Sequence, residues 1–131
     1  MAKALVISSE MDTVHLLQVK LGKDGYEVIS VRTGDEGLEQ VRQEKPEVVI
    51  VDPQVPGVRG MELVSHLKED AKPAPAVIVL SSKSSAADIG AAFAAGADDF
   101  VGQPFSPQGL LERMRVNLVR VGRLRAESEG A

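Results

Sequence analysis

The chain has 131 residues, of which 44% are apolar and 26% charged, and a formal net charge of −4. That suits one soluble domain and leaves no room for a second, and it lacks the broad basic surface that nucleic acid requires. There are no cysteines, which excludes disulfides, thiolate catalysis and cysteine-ligated zinc.

Met1-Ala2-Lys3 leads into the first expected strand, Ala4 to Ile7. That run is too short for a signal-peptide core or a membrane span, so a cytoplasmic protein without membrane contact is expected. A helix follows from near Met11, with Gly22 and Gly25 placed where chain reversals are expected. Glu27 to Val31 is the second strand. Thr33 with Glu36 three residues on has the form of a capping box for a helix from Gly34. The third and fourth strands, Val48 to Val51 and Val77 to Leu80, are apolar at every position, as parallel strands covered on both faces require. Between them a helix begins near Arg59.

Ser85 with Asp88 is a weaker capping signal for the fourth helix, Gly96 marks another reversal, and Asp99 to Val101 is the fifth strand. Ser106-Pro107 then sets a cap before a proline at the first helical position. In the last helix Leu111, Met114, Leu118 and Val121 recur at three-four spacing, and Leu124 prolongs the apolar character, as a linker or dimer helix would. Arg113, Arg115, Arg120, Arg123 and Arg125 read as a solvated helix face rather than a nucleic-acid contact. The expected domain is 1–123, with 124–131 a polar tail or the start of a linker.

Strands alternating with helices give a doubly wound α/β parallel sheet with right-handed crossovers. Ligands bind such a sheet beyond the carboxyl ends of its strands. The residues leaving the strands there are Ser8, Ser9 and Glu10, then Asp52, then Ser81 and Ser82, then Gly102-Gln103-Pro104. Asp52 follows four aliphatic residues and precedes Pro53, and position alone leaves two readings: a nucleophile at the strand tip, or an aspartate that turns the loop. His15 and His66 fall within helices, where exposure or packing is expected rather than catalysis. No nucleotide fingerprint, zinc spacing or catalytic triad is visible, and the chain is not read as an enzyme.

Two segments carry a family resemblance. Glu47-Val48-Val49-Ile50-Val51-Asp52, with Pro56-Gly57 and Gly60-Met61-Glu62-Leu63, resembles the phosphoacceptor strand and loop of response-regulator receiver domains. Gly96-Ala97-Asp98-Asp99-Phe100 with Pro104-Phe105 resembles their fifth-strand signature. The resemblance implies a CheY-like, flavodoxin-like sheet in the order 2-1-3-4-5 and five helices. It places Asp52 at the phosphoacceptor position and Ser81, Ser82 and Gln103 around the phosphate. Ser81 and Phe100 become the switch pair, and the Gln103–Pro104 peptide is expected to be cis.

The match departs at two points: Ser8 and Ser9 stand where the family has an acidic pair that anchors magnesium, and Gln103 stands where it has a lysine. The corresponding metal positions are thus Asp52, Ser8, Ser9, Glu10 and the Gln54 backbone, a set poor in charge. Glu10 and Lys83 are candidate substitutes, each with a solvated role as the blander reading. Magnesium is expected to bind weakly, Asp52 to be phosphorylated slowly or not at all, and the domain to act mainly as a protein-interaction module. The alternative is a conventional receiver phosphorylated on Asp52 by a histidine kinase; a flavodoxin-like small-molecule binder is disfavoured by the lack of Trp and the single Tyr. Expected partners are a kinase, an output domain or a downstream target, with homodimerisation through the fourth helix, fifth strand and fifth helix. The alanines of the fourth helix read as sheet-packing residues.

Overall fold

The apolar runs and capped segments fold as strands and helices in strict alternation, in a computed structural model that describes residues 2–123. They are β1 (Lys3–Ile7), α1 (Met11–Lys23), β2 (Glu27–Val31), α2 (Gly34–Glu44), β3 (Val48–Val51), α3 (Gly60–Glu69), β4 (Ala76–Ser81), α4 (Ala86–Ala94), β5 (Asp99–Gly102) and α5 (Pro107–Arg120). The sheet order is β2-β1-β3-β4-β5 and every pairing is parallel. Every residue of β3 and β4 is buried, because helices cover both faces of the sheet centre.

Alternation along each strand divides the core in two. Leu5, Ile7, Val49, Val51, Val77 and Val79 pack with Leu38, Val41, Leu63, Val64 and Leu67 of α2 and α3. Ala4, Val6, Val48, Ile50, Ile78 and Leu80 pack with α1 and α5 through Val14, Leu17, Leu21, Leu110, Met114 and Leu118. Each fully buried aliphatic side chain contributes about 1.5–3 kcal/mol, so these two layers dominate stability.

Helix starts follow the sequence signals with one exchange of strength. The Ser85–Asp88 pair is a complete box: Asp88 N–H donates to Ser85 Oγ at 3.1 Å, and Ser85 N–H donates to Asp88 Oδ2 at 3.1 Å. At α2 the Thr33 oxygen accepts from Glu36 N–H at 3.2 Å, but Glu36 Oε1 reaches the Arg32 amide instead of the Thr33 amide. Ser106 Oγ accepts from Gly109 N–H at 3.1 Å, with Pro107 at the first turn of α5.

Other expectations are corrected. Gly25 and Gly96 take positive φ, but Gly22 lies inside the last turn of α1. On α5 the fully buried register is Leu110, Met114, Asn117 and Leu118; Leu111 only flanks it. Leu124, Arg125 and the expected tail lie outside the described residues. The helix itself stops at Arg120, where Gly122 turns the chain at φ 77. Arg113 pairs with Asp99, and the Arg123 guanidinium donates to the carbonyls of Pro73 and Ala74 at 3.1 and 3.0 Å, so neither is simply solvated. Of the α4 alanines only Ala92 is buried; Ala86, Ala87, Ala91 and Ala94 face solvent, so sheet packing does not account for them. Among the described residues no helix is long and apolar enough to cross a membrane.

Candidate functional site

The register of the sheet assembles the rim. Ile7 of β1 and Val79 of β4 both pair with Val51, so the residues leaving β1 and β4 flank the residue leaving β3. That residue is Asp52, whose N–H donates to the Ile7 carbonyl at 2.9 Å. Gln103 N–H donates to the Ser81 carbonyl at 2.9 Å, which joins the β5 exit to the same edge. Ser8, Asp52, Ser81 and Gln103 therefore lie in sequence across one end of the sheet, and the Gln103–Pro104 peptide is cis, as the resemblance implies.

Asp52 is only 8% exposed. Its Oδ1 accepts from the Gln54 amide at 2.8 Å, which makes it a loop-turning aspartate as well as a strand-tip carboxylate. Oδ2 accepts no hydrogen bond among the described residues and is the oxygen left for chemistry. Both neighbouring serines are buried and similarly tied to the backbone: Ser8 Oγ accepts from Glu10 N–H at 3.1 Å, and Ser81 Oγ accepts from Lys83 N–H at 3.0 Å. Each hydroxyl keeps its own hydrogen to donate. Ser9 and Gln103 are half-buried, while Glu10 and Ser82 are exposed. His15 is exposed, and half-buried His66 faces Asp70 on its own helix at 3.5 Å.

The loop after Asp52 is fixed by peptide-to-peptide contacts. Gly60 N–H donates to Pro53 O at 2.8 Å, and Gly34 N–H, at the start of α2, donates to Pro56 O at 3.0 Å. A side chain on Gly34 would collide with the Val58 carbonyl, and one on Gly57, at φ 80, would meet the Asp35 carboxylate. Glycine is thus required by space at Gly34 and favoured by backbone angle at Gly57.

Beside the rim, under the start of α4, lies a cavity of about 130 Å³ lined by Gln54, Met61, Ser81, Lys83, Asp88 and Phe100 among others. Phe100 is half-buried against the α3-side core. Ser81 and Phe100, separate in the sequence, thus meet around one open volume. Sequence reasoning missed Met61 and Asp88 as its neighbours, since only the packing of α3 and α4 brings them there.

A second polar cluster also went unread. The Asp99 carboxylate accepts from Arg113 at 2.9 Å, from Asn117 Nδ2 at 2.9 Å and from the Phe100 amide at 2.8 Å. Asn117 is 1% exposed, and its Oδ1 has no hydrogen-bond partner. The one available signal was an asparagine interrupting the apolar stripe of α5.

The family model described as response regulator receiver domain matches residues 4–115. The alkaline phosphatase synthesis transcriptional regulatory protein PhoP of Bacillus subtilis (strain 168) is 33% identical over 118 residues, covering 90% of this chain and 49% of PhoP. The chain thus spans about half the length of that curated relative. Among solved structures, the N-terminal receiver domain of RstA from Klebsiella pneumoniae superposes with a TM-score of 0.82 at 28% identity, covering 88% of this chain and 97% of that one. The DrrB receiver domain gives a TM-score of 0.82 at 32% identity, covering 90% and 97%.

Proposed function

Because this chain belongs to the response-regulator receiver family of two-component signalling, we propose that it is a receiver with Asp52 as a weak phosphoacceptor, working mainly by presenting a surface to other signalling proteins. The observation that carries the reading is the setting of Asp52: a buried carboxylate with one free oxygen, bordered by Ser8, Ser81 and Gln103, all of them neutral. Receiver domains bind Mg2+ at their acidic site. Here the corresponding donors are Asp52, Ser8, Ser9, exposed Glu10 and the Gln54 backbone. Among the described residues no three acidic or histidine side chains gather as a metal site. That set does not fit magnesium well, since the ion dehydrates reluctantly and the only buried carboxylate offered is Asp52, with Glu10 exposed and the remaining donors neutral. Magnesium binding is therefore weak in this reading, and no step is routed through it.

Ser81, Ser82 and Gln103 are then phosphate contacts that donate hydrogen bonds from neutral groups, without the ion pairing that a lysine would add. Ser81 and Phe100, sharing the cavity, form the switch pair. The domain is not an enzyme, acts in the cytoplasm, and comprises residues 1–123. Its partners are a histidine kinase and an output domain or downstream target, not nucleic acid. RstA's receiver domain was solved in a BeF3-activated form, so a phosphoryl mimic has a precedent in a relative. The face for partners or a second copy is the one made by α4, β5 and α5, where Phe93 is 46% and Val116 57% exposed.

Incubation with acetyl phosphate and Mg2+, followed by intact mass, tests the reading. Slow, substoichiometric addition of one phosphoryl group is expected, absent in Asp52→Asn. Prompt stoichiometric phosphorylation overturns the weak-site reading in favour of a conventional receiver.

A further inference from the structure

A phosphoryl group on Asp52 would place an anion in a rim whose other named groups are serines and a glutamine. A charge of opposite sign stands in the β4–α4 loop, beside the rim. Lys83 is exposed, and its backbone N–H is hydrogen-bonded to Ser81 Oγ at 3.0 Å, so its stem begins beside a rim hydroxyl. Lys83 lines the 130 Å³ cavity shared with Ser81, Gln54 and Phe100, and it is the one cation among the described residues that do so. The other charged group there, Asp88, has its Oδ2 engaged by the Ser85 amide and hydroxyl at 3.1 and 2.7 Å. The Lys83 ammonium makes no hydrogen bond or ion pair among the described residues, though its charge acts on the Asp88 carboxylate across the same cavity. An amine on a flexible four-carbon stem, with three donors to spare, is suited to reaching inward.

We propose that Lys83 turns through this cavity and pairs with the phosphoryl oxygens carried by Asp52, supplying the positive charge that Gln103 and the serines lack. The inference rests on Asp52 being the phosphoacceptor. In the transfer from acetyl phosphate, an Asp52 oxygen forms the new bond to phosphorus. The bond from phosphorus to the donor's acyl oxygen breaks, and its electron pair leaves with acetate. Lys83 keeps its proton and contributes charge only, offsetting the negative charge on the equatorial oxygens. Because Lys83 lies between Ser81 and the Ser85–Asp88 cap, this pairing draws the start of α4 toward Asp52 and ties the chemistry to the partner surface.

The test is a time course with acetyl phosphate, in EDTA and in excess Mg2+, read by intact mass on wild type, Lys83→Ala, Lys83→Arg and the double variant Lys83→Ala with Gln103→Lys. Wild type is expected to form the adduct equally, within about twofold, in both media. Loss of a charge-assisted contact should cut the Lys83→Ala adduct about tenfold or more, Lys83→Arg should retain it, and the double variant should regain it. Circular dichroism confirms folding, which an exposed loop residue should not affect. Equal accumulation in wild type and Lys83→Ala overturns the assignment, as does a wild-type adduct that needs magnesium. No adduct on wild type in either medium overturns both the Lys83 role and Asp52 as phosphoacceptor, and leaves only the interaction-module reading standing. Prompt, stoichiometric, magnesium-dependent phosphorylation of both proteins overturns both.

Discussion

Three aspartates sit at strand ends in this molecule, and their surroundings divide sharply. Asp98 and Asp99, entering β5, each face a cation. The first accepts from Lys68 Nζ at 2.7 Å and from the Val77 amide at 2.8 Å, and the second from Arg113, Asn117 and the Phe100 amide. Asp52, leaving β3, accepts from the Gln54 amide and from no cation among the described residues. Where a carboxylate serves structure it is matched in charge and in hydrogen bonds, because an uncompensated charge out of water is costly. Where no cation faces the carboxylate, as at Asp52, the molecule bears that cost at a place able to accept a ligand.

Removing the Asp98 side chain should have the largest effect on stability. Lys68, whose side chain is 21% exposed, would lose its partner, and Asp98→Ala should cost about 3 kcal/mol in urea unfolding. Asp99→Ala comes next. The Arg113 side chain is 56% exposed and can rehydrate, so the loss is about 1–2 kcal/mol, mostly from the Asn117 and Phe100 contacts. The contrast predicts a change of sign at the rim. Asp52→Asn keeps an oxygen for the Gln54 amide and removes the unpaired charge, so it should be neutral to stabilising by up to about 1 kcal/mol. A loss of 2 kcal/mol or more in the same unfolding experiment would place Asp52 with the structural aspartates.

The smallest effect is one of pH. Hydrogen bonds from the Ser85 hydroxyl and amide hold the Asp88 carboxyl below its ordinary value of 3.8. A depressed carboxylate contributes stability above that ordinary value and loses it as pH falls through the lower, folded-state one. Faster amide exchange at the first turn of α4 is therefore expected on acidification below pH 3.8. Ser85→Ala, which keeps only the backbone donor to Asp88, should reduce that pH dependence.

Much of this was legible beforehand. The all-aliphatic runs of β3 and β4 could only be covered strands, and the residues leaving the strands named the rim, because parallel pairing aligns those exits. What stayed hidden depended on contacts between distant segments. The Asp99–Arg113–Asn117 cluster needs β5 and α5 side by side, and nothing local marks Asn117 as buried. The register of α5 slipped from Leu111 to Leu110 because adjacent leucines fit the same spacing nearly equally well. The α4 alanines misled because alanine's single methyl loses little free energy when left in water. Thr33–Glu36 looked the better cap than Ser85–Asp88, yet the short aspartate closes its box and the longer glutamate reaches past its own.

The seam between α2 and the loop after Asp52 bears on how sequence variation in this protein should be interpreted. There, backbone meets backbone, and at Gly34 any side chain would collide with the Val58 carbonyl across the seam. A saturation scan scored by signalling output would flag Gly34 as sharply as Asp52, although Gly34 does no chemistry. Only a parallel count of folded protein per cell would tell intolerance of bulk apart from loss of a reactive group.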